Sequence, residues 1–356
     1  MSNEPRPEHP IVFVKGRGAG SNRPSRYVRD EWDEAADFDP ATRKTEVTER
    51  QAKSLLNRNE SPDLSFDHTI NPYQGCEHGC VYCFARPTHA YLNLSPGLDF
   101  ETKLFAKVNA AEVLRKELGR KGFDPGIVAL GAATDAYQPI DRQYAIARQI
   151  LEVLAEFDVA VGITTKSALV TRDLDILAPM ARKGLVRVHM SIPTLAHELS
   201  RRLDPRANSP TRRLEAIEEL TGAGVPVAVY IAPVIPGLND HELEAILQAC
   251  KARGATQALY TLLRLPREVR DLFAEWLRRW YPERAAEIWR AIQEMHEGKD
   301  YDSRFGNRMV GTGDLAKELS LRFDAAAAEL GLTFPGRSLN TSLFGARGAE
   351  PQGSLF

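Results

Sequence analysis

The sequence predicts an α/β fold of barrel type, and three observations carry that prediction. Between about residues 68 and 265, six short β-rich runs alternate with longer segments of helical periodicity. No seventh or eighth run follows residue 263, where the pattern turns helical. In the third and fourth runs apolar residues alternate with small or polar ones, so one face suits packing against helices and the other suits a ligand-holding interior.

The strands are expected at 68–73, 127–132, 159–165, 185–192, 225–232 and 257–263, with helices between them at 106–118, 142–156, 172–182, 211–221 and 240–252. Ser209-Pro210 is a helix-opening pair, and Gly222 and Gly254 are helix-closing residues. Six βα repeats imply a parallel sheet, and right-handed crossovers leave an open doubly wound sheet or a full or partial βα barrel. The alternation favours the barrel. Val159, Val161 and Ile163 share one face of the third strand, and Ala160, Gly162, Thr164 and Lys166 share the other; in the fourth, Val186, Val188 and Met190 oppose Arg187, His189 and Ser191. Arg187 and His189 read equally as a satisfied structural pair or as lumen chemistry.

Four regions are expected: a charged, extended segment over 1–60, the barrel over 61–265, a mostly helical extension over 266–335 and a loose tail over 336–356. The first begins with basic residues (Lys15, Arg17, Arg23, Arg26, Arg29) and passes into an acidic run at 30–39, a composition that usually stays solvated. Trp276, Leu277, Trp280 and Ile288 give the extension its helical spacing.

With 43% hydrophobic residues in a chain of 356, a substantial core is available and disorder throughout is excluded. The longest apolar stretch is about half of the roughly 20 residues a membrane helix needs, and the N-terminus shows no secretory pattern, so the expected compartment is the cytoplasm. Forty-six basic against 48 acidic residues give no global drive toward nucleic acid or membrane. Four cysteines are too few for a disulfide scaffold, which turns attention to their positions.

Three of them form Cys76-Glu-His-Gly-Cys80-Val-Tyr-Cys83, just after the first strand, where barrel active sites collect. Thiolates are soft ligands for iron-sulfur clusters or zinc. A structural zinc would need a fourth ligand, for which His78 and His89 are candidates; a ferredoxin-type carrier would need a fourth nearby cysteine, which is missing. A cluster with one open iron fits the three-ligand set best. Gly75 and Gly79 allow the tight turning that converging thiolates require. Cys250, on an apolar helical stretch, reads as a small buried hydrophobe.

The C-x3-C-x2-C spacing, with Tyr82 before its last cysteine, resembles the radical S-adenosylmethionine superfamily. The resemblance extends to Asn71-Pro-Tyr-Gln-Gly-Cys through Cys83-Phe-Ala-Arg86, to Gly162-Ile-Thr-Thr-Lys-Ser167 and to Ala232-Pro-Val-Ile-Pro-Gly-Leu-Asn-Asp240. These segments look like an uncharacterised group related to spore photoproduct lyase, often labelled DNA-repair photolyase-like. The resemblance implies a partial (βα)6 barrel with an N-terminal extension and a helical C-terminal segment. It also implies a 4Fe-4S cluster on Cys76, Cys80 and Cys83, whose open iron binds S-adenosylmethionine. One-electron cleavage of that sulfonium yields a 5′-deoxyadenosyl radical that abstracts hydrogen from substrate. A low-potential donor such as flavodoxin or ferredoxin is the implied reductant; nucleic acid is one candidate substrate class, and no membrane partner is implied.

Carried over position by position, the resemblance assigns Lys166 to the cofactor carboxylate, Ser191 to its methionine or ribose part, and Thr134 and Asp135 to its ammonium group. Asp135 reads equally as an Asx turn or helix cap. Pro233, Tyr82 and Phe84 are candidates to cover adenine, and Arg206 and Arg264 are rim arginines for an anionic group. One departure stands out. The lyase returns a hydrogen atom from an additional cysteine near the second strand, and residues 129–134 contain none, so that route is not expected; Tyr137 is the alternative donor. A nucleic-acid substrate would call for a basic, aromatic rim, with Arg264, Arg267, Arg270, Arg278 and Arg279 as candidates, although interleaved acids suggest an ordinary solvated helix face.

Overall fold

A computed structural model describes residues 11–27, 44–332 and 338–345; Arg29, the acidic run at 30–39 and the end of the tail at 346–356 lie outside them. Ten strands are described: β1 (Glu46–Arg50), β2 (Asn57–Arg58), β3 (His68–Ile70), β4 (Tyr73–Gln74), β5 (Lys103–Lys107), β6 (Ile127–Leu130), β7 (Ala160–Thr165), β8 (Val186–Ser191), β9 (Val227–Val234) and β10 (Gln257–Leu262).

The six expected strands are β3, β6, β7, β8, β9 and β10, and they lie side by side in that order, every neighbouring pair parallel. A sheet that adds strands in chain order has no switch point, which excludes the doubly wound alternative. Among the described residues β3 and β10 do not pair with each other, so the sheet is a partial barrel. One edge carries antiparallel β2. Beyond β10, the Leu262 amide donates to the Met309 carbonyl at 2.8 Å, so the C-terminal segment covers the other edge.

Alternation fixes which face is which. Gly162 pairs with Arg187 and Thr164 with His189 across β7 and β8, while Val161, Ile163, Val186, Val188 and Met190 are wholly buried against helices such as Ile146–Glu156 and Leu174–Arg182. Cys250 is equally buried in helix Leu243–Ala252, and burial pushes its thiol up to about 12, as expected of a small hydrophobe. The extension over 266–335 contains helices Glu268–Trp280, Ala285–Glu294 and Gly313–Glu329, the last packing Phe323 against Tyr260 with ring centroids 4.7 Å apart.

Two features differ from the sequence expectation. The helix expected over 106–118 starts only at Ala110, because the residues before it form β5 in a small sheet ordered β1-β5-β4. Its residues read as helical by period, but pairing with β1 and β4 wins. The basic N-terminal segment, expected to be solvated, is extended yet largely buried over residues 17–21. Its arginines find carboxylates on the rest of the chain: Arg23 pairs with Glu275 at 2.7 Å and Asp271 at 3.1 Å, and Arg26 with Glu268 at 2.7 Å. Charge that repels order within a local run is neutralised here by partners some 250 residues away in the chain.

Candidate active site

The three cysteines lie on the loop after β4, at the C-terminal ends of the parallel strands. Gly75 and Gly79 adopt φ of 77° and 68°, values that let the backbone reverse without a Cβ clash. Gln138 locks the start of the loop, accepting from the Glu77 amide at 2.9 Å and donating to the Gly75 carbonyl at 3.2 Å. Arg86, fully buried, locks its end by donating from Nε to the Cys80 carbonyl at 2.8 Å.

All four cysteines of the chain are free thiols. Burial raises the pKa of Cys80 and of Cys83; Asp204 adds to the effect on Cys80, whereas Arg86 opposes it on Cys83. Each thiol is close enough to the others to perturb them electrostatically. Thiols gathered in a dry loop, disfavoured as bare thiolates, suit a group whose positive iron would offset the charge. Among the described residues no three His, Cys, Asp or Glu side chains are grouped to hold a single metal ion. Three thiols on one loop are the soft donors that an iron-sulfur cluster takes. Of the two candidate fourth zinc ligands, His78 turns Nδ1 toward Asp135 at 3.3 Å and also interacts with Cys76, while His89 holds Nε2 2.9 Å from the Lys103 carbonyl oxygen and leaves Nδ1 buried without a partner among the described residues.

Lys166 follows β7 on the interior side, with its ammonium 5.8 Å from the Tyr82 ring centroid. Burial works against its charge, but Cys80 and Asp204 outweigh that and raise its pKa. Tyr82 donates its hydroxyl to Asp204, which also accepts from Arg213 at 3.0 Å, both side chains essentially buried. Arg213 in turn donates to the Ser191 carbonyl at 2.9 Å. Thus Tyr82, Lys166 and Ser191, far apart in sequence, belong to one rim network.

The remaining expected residues have mixed placements. The Thr134 hydroxyl donates to the Tyr73 carbonyl at 2.9 Å. Asp135 accepts from the Tyr137 amide, making the Asx turn, and also from Thr165 and the Lys166 amide, with His78 alongside. Burial would raise its pKa, but His78 and these hydrogen bonds hold it down at about 2. Arg206 pairs with Glu77 of the cysteine loop at 3.1 Å. It borders a cavity of about 280 Å³ shared with His78, Tyr137, Ser167 and Asn208. Pro233 is the penultimate residue of β9, with its carbonyl held by Asn239 at 2.9 Å. Phe84 is 45% exposed, and the Arg264 guanidinium sits 4.8 Å from its ring centroid. Tyr137, the alternative hydrogen donor, is wholly buried and gives its hydroxyl to Asp173 at 3.1 Å.

Sequence reasoning missed Arg86, Glu101, Gln138, Asp204 and Arg213. Asp204 stands two residues before the selected Arg206, and Arg86 closes the cysteine segment. What distinguishes them is near-complete burial of a polar or charged side chain, which only long-range packing creates.

Fold and site together define a six-repeat partial βα barrel that displays three thiols and a lysine at its C-terminal rim. Residues 70–250 match the Radical SAM superfamily, and the chain belongs to that superfamily, a family of enzymes. An uncharacterised protein of Mycobacterium bovis is 40% identical over 234 residues, 65% of this chain and 69% of that protein. An uncharacterised protein of Methanocaldococcus jannaschii is 27% identical over 199 residues, 56% of this chain and 71% of that protein. Among solved structures, a spore photoproduct lyase variant aligns with a TM-score of 0.59 at 19% identity, covering 82% of this chain and 80% of the lyase. The lyase in complex with dinucleoside spore photoproduct aligns with a TM-score of 0.57 at 17% identity, with the same coverage. These alignments establish a shared fold. Among the described residues no helix is long and apolar enough to cross a membrane.

Proposed function

We propose that Cys76, Cys80 and Cys83 hold a 4Fe-4S cluster, and that the chain binds S-adenosylmethionine at the same rim and generates a 5′-deoxyadenosyl radical for hydrogen abstraction. The observation that carries this is the three-cysteine loop at the C-terminal rim beside Lys166, in a chain whose residues 70–250 match the superfamily. Together the two cofactors would supply a reductively cleaved sulfonium and hence the radical. In this reading the protein's own groups bind and orient: Lys166 pairs with the cofactor carboxylate, Ser191 and Thr134 lie along its length, and Tyr82 and Pro233 wall the site. Asp135, whose oxygens already serve four protein groups, acts chiefly by holding the loop that bears Thr134. A flavodoxin or ferredoxin would be the electron donor.

Anaerobic reconstitution followed by iron, sulfide and zinc analysis tests the cluster. About one zinc and no sulfide would sink the reading. With dithionite and S-adenosylmethionine, 5′-deoxyadenosine should form in the wild type and fall to background in Cys80→Ala.

Nucleic acid is the substrate class best supported by the rim. Phe84 is exposed beneath Arg264, next to Cys83 in the chain. Elsewhere on the surface Tyr27 and Tyr91, 52% and 64% exposed, stack at 5.6 Å beside Arg26, which also pairs with Glu268. Exposed rings interleaved with arginines are the parts from which single-strand binding surfaces are made. Wild-type protein should bind a single-stranded oligonucleotide with strong salt dependence, and Phe84→Ala with Tyr91→Ala should weaken it by about tenfold or more. No binding by the wild type would remove nucleic acid from consideration, and equal binding by both proteins would remove these rings from the binding surface.

A further inference from the structure

The N-terminal segment crosses the cysteine loop at its back. Gly18 has no room for a side chain, since a Cβ there would lie 1.8 Å from the Gly79 carbonyl oxygen, and a Cβ at Gly97 would lie 2.1 Å from the Ser21 carbonyl oxygen. The Glu101 carboxylate, wholly buried, accepts from the Gly18 amide at 3.0 Å, the Ala19 amide at 2.9 Å and the Arg86 guanidinium at 2.5 Å. Arg17 donates to the Glu101 carbonyl at 2.7 Å. Through its Nε, Arg86 then reaches the Cys80 carbonyl, so a single chain of contacts runs from the segment to a cysteine. The outer end is moored to helix Glu268–Trp280: Ser21 donates to Glu275 at 2.7 Å beside the Arg23 pairs with Glu275 and Asp271.

We propose that residues 17–23 are a strap that fixes the geometry of the cysteine loop, with Glu101 as the positioning residue that transmits it through Arg86 to Cys80. The physical reason lies in the hydrogen-bond accounting. A buried carboxylate needs several donors, and two of the three on Glu101 come from the strap. With the strap undocked, Glu101 keeps only Arg86, and water reaches the pair that holds the Cys80 carbonyl. The loop then loses both its cover over Gly79 and the rigidity of its anchor. A segment that composition marks as a solvated tail becomes part of the site, which ties loop order to the helical extension. The inference rests on the cluster reading only for its iron measurements.

Two variants loosen the strap without altering a cysteine or its loop. Gly18→Val drives a side chain at the Gly79 carbonyl, and Arg23→Ala frees the mooring on helix Glu268–Trp280. Full-length protein is followed without iron by amide exchange across residues 76–86. After anaerobic loading, iron retention against a chelator and the electron paramagnetic resonance of the reduced protein are measured. Loop exchange should rise about tenfold or more in Gly18→Val and by less in Arg23→Ala, while β7 and β8 keep wild-type rates. Iron loss should quicken in the same order, with a changed resonance line shape. If Gly18→Val exposes Arg17 and Arg23 to trypsin while loop exchange stays at the wild-type rate, the proposal is overturned and the strap is packing alone. Should Gly18→Val not fold, Arg23→Ala decides by the same criterion. A wild type that takes up no iron would end the cluster reading and leave the exchange comparison intact.

Discussion

Strands β7 and β8 present Val161, Ile163, Val186, Val188 and Met190 to the outer helices, all wholly buried, and Gly162, Thr164, Arg187 and His189 to the interior. The outer face is a continuous apolar layer whose value is area removed from water. The inner face and the rim above it hold charges, hydroxyls and glycines, several with no apolar gain to offset their desolvation. Such groups persist where each is matched by a partner or left available to a ligand. At the rim the matching is complete for Asp204, which has Tyr82 and Arg213. Deeper inside, the His189 Nε2 is buried without a hydrogen-bond partner among the described residues. The contrast separates an apolar face packed on helices from a polar interior face.

Breaking a rim pair should have the largest effect. Arg213→Ala leaves Asp204 buried beside an uncharged Tyr82, and unfolding titrations should show a loss of about 3–5 kcal/mol. A loss near zero would mean that water replaces the guanidinium and that the rim is not dry. Next comes a paired test of the two faces at adjacent residues. Ile163→Ala should cost about 2–5 kcal/mol through lost burial and a residual cavity, whereas Thr164→Ala should cost less than about 1 kcal/mol. Equal losses would erase the distinction between the faces.

A smaller, pH-dependent effect isolates the interior. Burial, followed by the nearby Arg187, lowers the His189 pKa to about 4. An unfolded histidine titrates near 6.5. Above that value both states are neutral and His189 contributes no pH dependence. As pH falls toward 4 only the unfolded chain gains the proton, and stability declines by up to about 1.4 kcal/mol per unit. His189→Gln should flatten that decline without abolishing it, because burial also holds His89 down at about 4. An unchanged slope in melts between pH 7 and 4 would place His189 in contact with water. The smallest effect is expected from Gly162→Ala, whose new Cβ would meet His189 Cε1 at 3.4 Å, the edge of ordinary contact. Stability should move by less than about 1 kcal/mol, so any larger loss would show that the interior is packed and not open.

Much of this was legible in the chain. The six strands follow from period-two runs and the helices from their spacing, because neighbouring residues decide which face is apolar. The cysteine spacing likewise identifies its loop, since three ligands within eight residues need no distant partner to be noticed. The barrel's openness at β3 and β10 was less secure, being a statement about which strands find one another. Phe84 was marked for the cofactor, yet its exposure beneath Arg264 also gives it a place on the outer surface.

By itself, then, the sequence determined the α/β alternation, the lumen-facing positions and the three-thiol loop, all of which depend on local period and spacing. Tertiary structure alone decided that an N-terminal basic run is buried against that loop and that β5 replaces the first turns of an expected helix. It also decided that Glu101, Arg86, Asp204 and Arg213 are buried in hydrogen-bonded pairs around the cysteine loop and rim. The physical reason is the same in each case. A charge is soluble or structural according to whether folding delivers a partner, and those partners arrive from as much as 254 residues away.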